Sequence, residues 1–207
     1  MTATGAAFPT HNNLQPDHVV TAPAVSLLSG PVVAYSPLAE GVEGTFQTLD
    51  AMRAAVLGRI GPDYSGYTDP FNISAAKNIC SRVTGQTPQE QIAALFNFCR
   101  DQIQYINHPW DMQVVQDCKR TLELRTGDCV SKSICLSTLL ATQGITSRFR
   151  AQCPDGEGFS HVYVEAWNGA WVALDPTADG KDGRPLFDPG QFQRLPDGGC
   201  ETTFDIF

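Results

Sequence analysis

Apolar positions recur at helical spacing three times in the first half of the chain. Leu49, Met52 and Val56 stand at i, i+3 and i+7 and predict a helix over about Gln47 to Leu57, stopped by Gly61-Pro62-Asp63. Ile73, Ala76, Ile79, Cys80 and Val83 share one face and predict a second helix over about Ile73 to Val83, ended by Gly85. The third helix carries its own start signal. Thr87-Pro88-Gln89-Glu90 supplies an N-cap hydroxyl, a proline at the first helical position and a glutamate that can close a capping box. The stripe behind it is Ile92, Leu95, Phe96, Cys99 and Ile103. Cys80 and Cys99 occupy positions where apolar side chains belong, so both read as small buried thiols.

A fourth amphipathic stretch follows Thr126-Gly127-Asp128-Cys129, with Val130, Ile134, Leu136, Leu139 and Leu140 leading to a stop at Gly144. The period then changes from 3.6 to 2. Ile145 to Ala151 reads as a strand, Gln152 to Phe159 as a polar Gly-containing loop, His161 to Trp167 as an alternating strand, and Ala170 to Asp175 as a third, joined through Asn168-Gly169. A two-residue Asn-Gly turn would leave both faces of this hairpin mixed. A three-residue connection with Gly169 left-handed pairs Ala166 with Ala170 and separates the faces. Val162, Val164, Ala166, Ala170, Val172 and Leu174 then lie on one, and His161, Tyr163, Glu165, Trp171, Ala173 and Asp175 on the other. Because a one-residue slip exchanges faces, the apolar pattern selects the second register, with His161 directly across from Asp175.

The rest of the chain lacks periodicity. Pro9, Pro16, Pro23, Pro31 and Pro37 mark residues 1–45 as an extended arm, with one short strand expected at Val32 to Tyr35. Tyr105 to Gln116 reads as a loop carrying His108-Pro109-Trp110, His108 being taken as a surface residue. Residues 179–207 read as an irregular tail, which leaves 46–178 as the folded domain.

Composition narrows the function classes. With 207 residues, 42% of them apolar, the chain can bury one good core. A formal charge of −8 and a pI near 4.8 oppose sequence-independent nucleic-acid binding, which needs clustered cations, and Lys119-Arg120 and Arg148/Arg150 are too few to reverse this. The N-terminus has neither a basic nor an apolar leader segment, and Pro23 to Leu38 is broken by prolines, so neither Sec export nor a membrane span is expected. Seven cysteines without a C-x-x-C or paired Cys/His spacing predict reduced thiols and neither a metal nor another cofactor.

One thiol stands apart. Cys129 falls in the first turn of its helix, where unpaired N–H groups and the positive end of the dipole favour a thiolate, whereas Cys135 lies too deep to benefit. Gly127 permits the tight entry that turns the sulfur out of the helix end. A nucleophilic thiol needs a base, and the base needs an acceptor to orient it. Directly opposed strand residues have Cβ atoms about 4.5–5.5 Å apart, within reach of a carboxylate–imidazole hydrogen bond, so the hairpin offers His161 and Asp175 for these roles. Tyr163 and Glu165 on the same face read as rim residues, and Trp171 as a packing residue.

Gly127-Asp128-Cys129, the following KSICLSTLLATQGITSRFR and then HVYVEAWNGAWVALDPTA resemble the transglutaminase-like superfamily, with weaker likeness upstream in FQTLDAM, the Gln91 to Ile103 helix with Tyr105, and TLELRTGDC. The short form is similar to bacterial and tailed-phage members, although Val130-Ser131 stand where phage-like members often carry acidic residues. The resemblance implies an α+β, papain-like fold, with N-terminal helices and a catalytic helix packed on an antiparallel sheet. It implies attack by Cys129 on an amide or ester carbonyl, with His161 as base and Asp175 as orienter. The acyl-enzyme would pass to water or to an amine, without calcium. The Cys129 backbone N–H and the Gln116 side chain are the oxyanion candidates. Implied partners are a peptide or protein substrate and, through the two arms, phage structural proteins; the implied location is the bacterial cytoplasm or a phage particle. A second reading takes the chain as a particle structural or assembly protein that keeps the fold as a scaffold.

Overall fold

In a computed structural model, residues 34–36, 42–57, 70–83, 85–107, 113–153, 160–177 and 200–206 are described. In chain order the elements are β1 (Ala34–Ser36), α1 (Val42–Val56), α2 (Pro70–Cys80), α3 (Pro88–Gln102), β2 (Gln104–Tyr105), β3 (Gln113–Val115), α4 (Cys118–Leu124), β4 (Thr126–Gly127), α5 (Cys129–Thr142), β5 (Ser147–Cys153), β6 (His161–Trp167), β7 (Trp171–Leu174) and β8 (Cys200–Asp205). The architecture is α+β: helices precede an antiparallel sheet of order β7-β6-β5-β8.

Helix α5 is the axis. Every residue from Val130 to Leu140 is buried, because α1, α2, α3 and α4 pack around it and β5 and β6 lie against it. A helix surrounded in this way buries polar side chains along with its apolar ones, here Ser131, Lys132, Ser133, Ser137 and Thr138. The core joins Leu49 and Met52 of α1, Ala76 of α2, Ile92, Leu95, Phe96 and Cys99 of α3, and Ile134, Leu136 and Leu139 of α5 to Phe149, Val164 and Leu174 of the sheet. Each fully buried large apolar side chain contributes about 1.5–3 kcal/mol.

Helix α3 begins where its start signal places it. Thr87 Oγ1 accepts from Glu90 N at 3.2 Å, and the Glu90 carboxylate accepts from Thr87 N at 3.0 Å. Helix α2 starts three residues earlier than its apolar stripe, with Pro70 in its first turn. The short strand of the arm is β1, antiparallel to β3. His108 lies outside the described residues, as do 154–159 of the polar loop and most of both arms. The tail is not irregular throughout: Cys200–Asp205 pairs antiparallel with β5, Phe204 faces Phe149 across the ladder, and Ile206 is buried in the core. The chain here resumes a weak alternation, Thr202, Phe204 and Ile206 against Glu201, Thr203 and Asp205.

The β6–β7 hairpin corrects the expected register by two residues. Val164 pairs with Leu174, Ala166 with Val172 and Trp167 with Trp171, so Ala166 does not face Ala170. Gly169 at the tip has φ +81°, and Asn168 N donates to Ala170 O at 2.9 Å. A two-residue shift preserves the face of every side chain. Val162, Val164, Ala166, Val172 and Leu174 remain in the core, and His161 and Asp175 remain on one face as diagonal rather than direct neighbours.

Candidate active site

Helix α4 ends at Arg125, whose φ of 57° lies in the left-handed region and whose N–H returns to Thr121 O. The chain then runs for two residues as β4, parallel to β2 with Gln104 beside Thr126 and Tyr105 beside Gly127. Asp128 caps α5 by accepting from Ser131 N at 2.8 Å, and Cys129 is the first helical residue. Gly127 is needed for close approach: a Cβ there would stand 2.8 Å from Ser131 Cβ. Cys129 is half-buried; five of the other cysteines are buried and Cys200 is exposed.

His161 opens β6 and Asp175 follows β7. His161 Nε2 lies 2.7 Å from Asp175 Oδ2. The other carboxylate oxygen, Oδ1, accepts from Thr177 N at 3.0 Å and from Thr177 Oγ1 at 2.7 Å. Burial alone would lower the His161 pKa, but hydrogen bonds with Asp175 and Cys129, and the negative charge of both, raise it to about 10. Burial pushes Asp175 up, yet the hydrogen bond and charge of His161, with the two bonds from Thr177, outweigh it and hold the carboxyl below the usual range. With Nε2 engaged by Asp175, Nδ1 is the nitrogen left for the thiol. Tyr105 stands close enough that, after burial, the charges of Cys129, Asp128 and Asp175 raise its pKa.

Other expected site residues behave differently. Gln116 is buried, and its Nε2 donates to Thr121 Oγ1 at 3.0 Å and to Thr126 O at 2.9 Å. Both amide hydrogens are thereby used in bracing α4 against β4, and neither is left for an oxyanion. Tyr163 and Glu165 are buried rather than at a rim. Glu165 accepts from Arg148 Nε at 2.6 Å and Arg150 Nη1 at 2.7 Å, and Arg150 also pairs with Glu201 of β8. The Arg148 guanidinium lies 4.0 Å from the Trp171 ring centroid, and Trp171 packs edge-on against Trp167.

Three residues near the site were not singled out from the sequence for a role there. Thr177 holds the free oxygen of Asp175; Asp-Pro-Thr is a turn signal that could have pointed to it. Tyr105 lies beside the strand that leads to Cys129. Lys132, one turn into α5, is only 2% exposed and donates Nζ to Ile103 O at 2.7 Å and Arg100 O at 3.3 Å, capping the end of α3. No periodicity distinguishes such a lysine from a solvated one. Among the described residues no group of three or more His, Cys, Asp or Glu side chains could hold a metal ion, and no helix is long and apolar enough to cross a membrane.

Two solved structures are similar at low identity. A candidate cysteine protease from Cytophaga hutchinsonii shares 16% identity over 58% of this chain and 46% of its own, with a TM-score of 0.40. A candidate protease from Parabacteroides distasonis shares 17% identity over 57% of this chain and 24% of its own, with a TM-score of 0.42. The chain therefore spans less than half the length of either protein. No curated protein matches it. Residues 75–176 match the model of the transglutaminase-like superfamily, and it is to that superfamily that the segment holding Cys129, His161 and Asp175 is similar.

Proposed function

We propose that the protein is a cysteine-dependent hydrolase or acyltransferase acting on an amide bond of a peptide or protein, with Cys129 as nucleophile, His161 as acid and base, and Asp175 as orienter. The observation that carries this reading is the His161 ring, held at Nε2 by Asp175 at 2.7 Å and hydrogen-bonded with Cys129 as well. In this reading Cys129 and His161 act together as a thiolate–imidazolium pair.

In the proposed reaction the Cys129 thiolate attacks the carbonyl carbon, a C–S bond forms and the carbonyl electrons move onto oxygen. The backbone N–H of Cys129, at the unpaired start of α5, is the donor best placed for that oxyanion. Collapse expels the amine, which takes the Nδ1 proton of His161. Water then gives a proton to Nδ1 while its oxygen attacks the thioester, and the departing thiolate restores the ion pair. An amine in place of water gives transfer. The particle-scaffold reading rests on the Pro-rich residues 1–45 and the tail after Asp179, most of which lie outside the described residues, and no feature of the site favours it.

Iodoacetamide labelling followed by peptide mapping tests the proposal. Near pH 7 Cys129 should be alkylated before the other six cysteines, and His161→Ala or Asp175→Ala should slow it. Equal or slower labelling of Cys129 than of exposed Cys200 overturns the activated-thiol assignment.

A further inference from the structure

A cavity of about 580 Å3 opens beside this site. Its walls include Tyr105 of β2, Arg100 and Asp101 near the end of α3, Arg125 before β4, Lys132 of α5, and Thr177. It lies between the element that leads to Cys129 and the turn that holds Asp175, so an occupant would lie alongside the reacting groups without displacing them.

Its charges are unevenly compensated. Arg100 and Asp101 neutralise each other through two contacts, Nε to Oδ1 at 2.6 Å and Nη2 to Oδ2 at 2.8 Å. Burial pulls the Lys132 pKa down against the nearby negative charges that raise it, and Nζ donates to two backbone carbonyls with one of its three hydrogens uncommitted. Arg125 pairs with no carboxylate among the described residues; its guanidinium lies 5.6 Å from the Phe98 ring centroid. An entering anion therefore meets two cations and no unpaired carboxylate on the named walls, in a chain whose formal charge is −8. Concave surfaces with one sign of charge concentrate ligands of the other, and a guanidinium matches a carboxylate in two parallel hydrogen bonds. The volume falls within the range of about 300–1,000 Å3 of small-ligand sites.

We propose that this cavity is a substrate subsite for a carboxylate carried by the peptide, received by Arg125 with Lys132 behind it. The proposal rests on the peptide-acting reading above. The carboxylate belongs either to an acidic side chain or to the peptide's own C-terminus.

Amide NMR titration of the full-length Cys129→Ala protein separates these cases without relying on turnover. The probes are Ac-Ala-Glu-Ala-NH2, Ac-Ala-Gln-Ala-OH and the uncharged Ac-Ala-Gln-Ala-NH2. One or both carboxylate peptides should shift the amides of Gln104, Tyr105 and Thr177 and bind about fivefold or more tightly than the uncharged one. Arg125→Gln should abolish the difference and Arg125→Lys should retain part of it. Resonances far from the cavity check that each variant is folded. Binding of the three peptides with equal affinity, an unchanged preference in Arg125→Gln, or no shift with any probe overturns the subsite. Labelling of Cys129 is measured separately, so failure of the subsite and failure of the thiol assignment give different results.

Discussion

Thr177 holds the one oxygen of Asp175 that His161 does not. The hydroxyl at 2.7 Å and the amide at 3.0 Å fix Oδ1, while Oδ2 faces the imidazole at 2.7 Å, so the carboxylate cannot rotate without breaking bonds on both sides. Thr177→Val removes the hydroxyl bond at nearly constant shape. A neutral hydrogen bond contributes about 1 kcal/mol and one to a charged group somewhat more, so Cys129 alkylation at pH 7 should fall about fivefold to tenfold. The acid limb of its pH profile should also move upward. Thr177→Ser should restore both, which a purely structural role of the side chain would not require.

The imidazole should titrate far above an ordinary histidine. Its proton NMR resonances should show a midpoint near 10, and Cys129→Ala or Asp175→Asn should each bring it down, because each removes a partner that raises it. A midpoint near 6.5 in the unmodified protein would falsify the ion-pair description.

The same shift fixes the sign of a stability effect. His161 is raised in the folded state, so its contribution is complete below about pH 6.5, the unfolded value, and is lost as pH rises through about 10. Asp175 is lowered, so its contribution is present above the ordinary carboxyl value and is lost as pH falls through the folded one. Urea denaturation between pH 6 and 10 should show stability falling on the alkaline side, with a smaller fall in Asp175→Asn.

Gly127→Ala should damage the entry to α5. The added methyl would meet Ser131 Cβ at 2.8 Å, and the helix start would have to shift to admit it. Overpacking of this kind costs about 1–3 kcal/mol. The thermal midpoint should drop, and Cys129 labelling should slow even where the protein remains folded.

Glu165→Ala leaves Arg148 and Arg150 facing a fully buried position without their shared carboxylate. Breaking a buried pair by removing one partner costs about 3–5 kcal/mol. A denaturation midpoint within error of the unmodified protein would show that this network contributes little.

Much of the local structure was legible in the sequence because it depends on parity and period. The Thr87 to Glu90 start signal and the stripe through Cys99 place α3, and the separation of apolar from polar positions on β6 and β7 puts His161 and Asp175 on one face. The register was not legible, since a shift of two residues leaves every side chain on its face and only the turn distinguishes the alternatives. Burial of Glu165 and Lys132 was hidden for another reason. Their partners, Arg148 and Arg150 on β5 and the carbonyls of Arg100 and Ile103, come from other elements, and a charged residue shows no period that announces them. The two hydrogens of Gln116 were likewise assigned by neighbours that become adjacent only when α4 forms.

The strand β8 also has a temporal consequence. It joins β5 some fifty positions later in the chain, after β6 and β7 are already adjacent, and it brings Glu201 to Arg150 and Ile206 to the α1 side, where Arg53 Nε reaches the Ile206 carbonyl at 3.1 Å. During synthesis the hairpin with His161 can therefore assemble on the helical layer while the outer flank of β5 is still open. The last of these strands to leave the ribosome closes that flank, so a nascent chain halted before Cys200 would present β5 as a bare ribbon, prone to pair with a neighbour's.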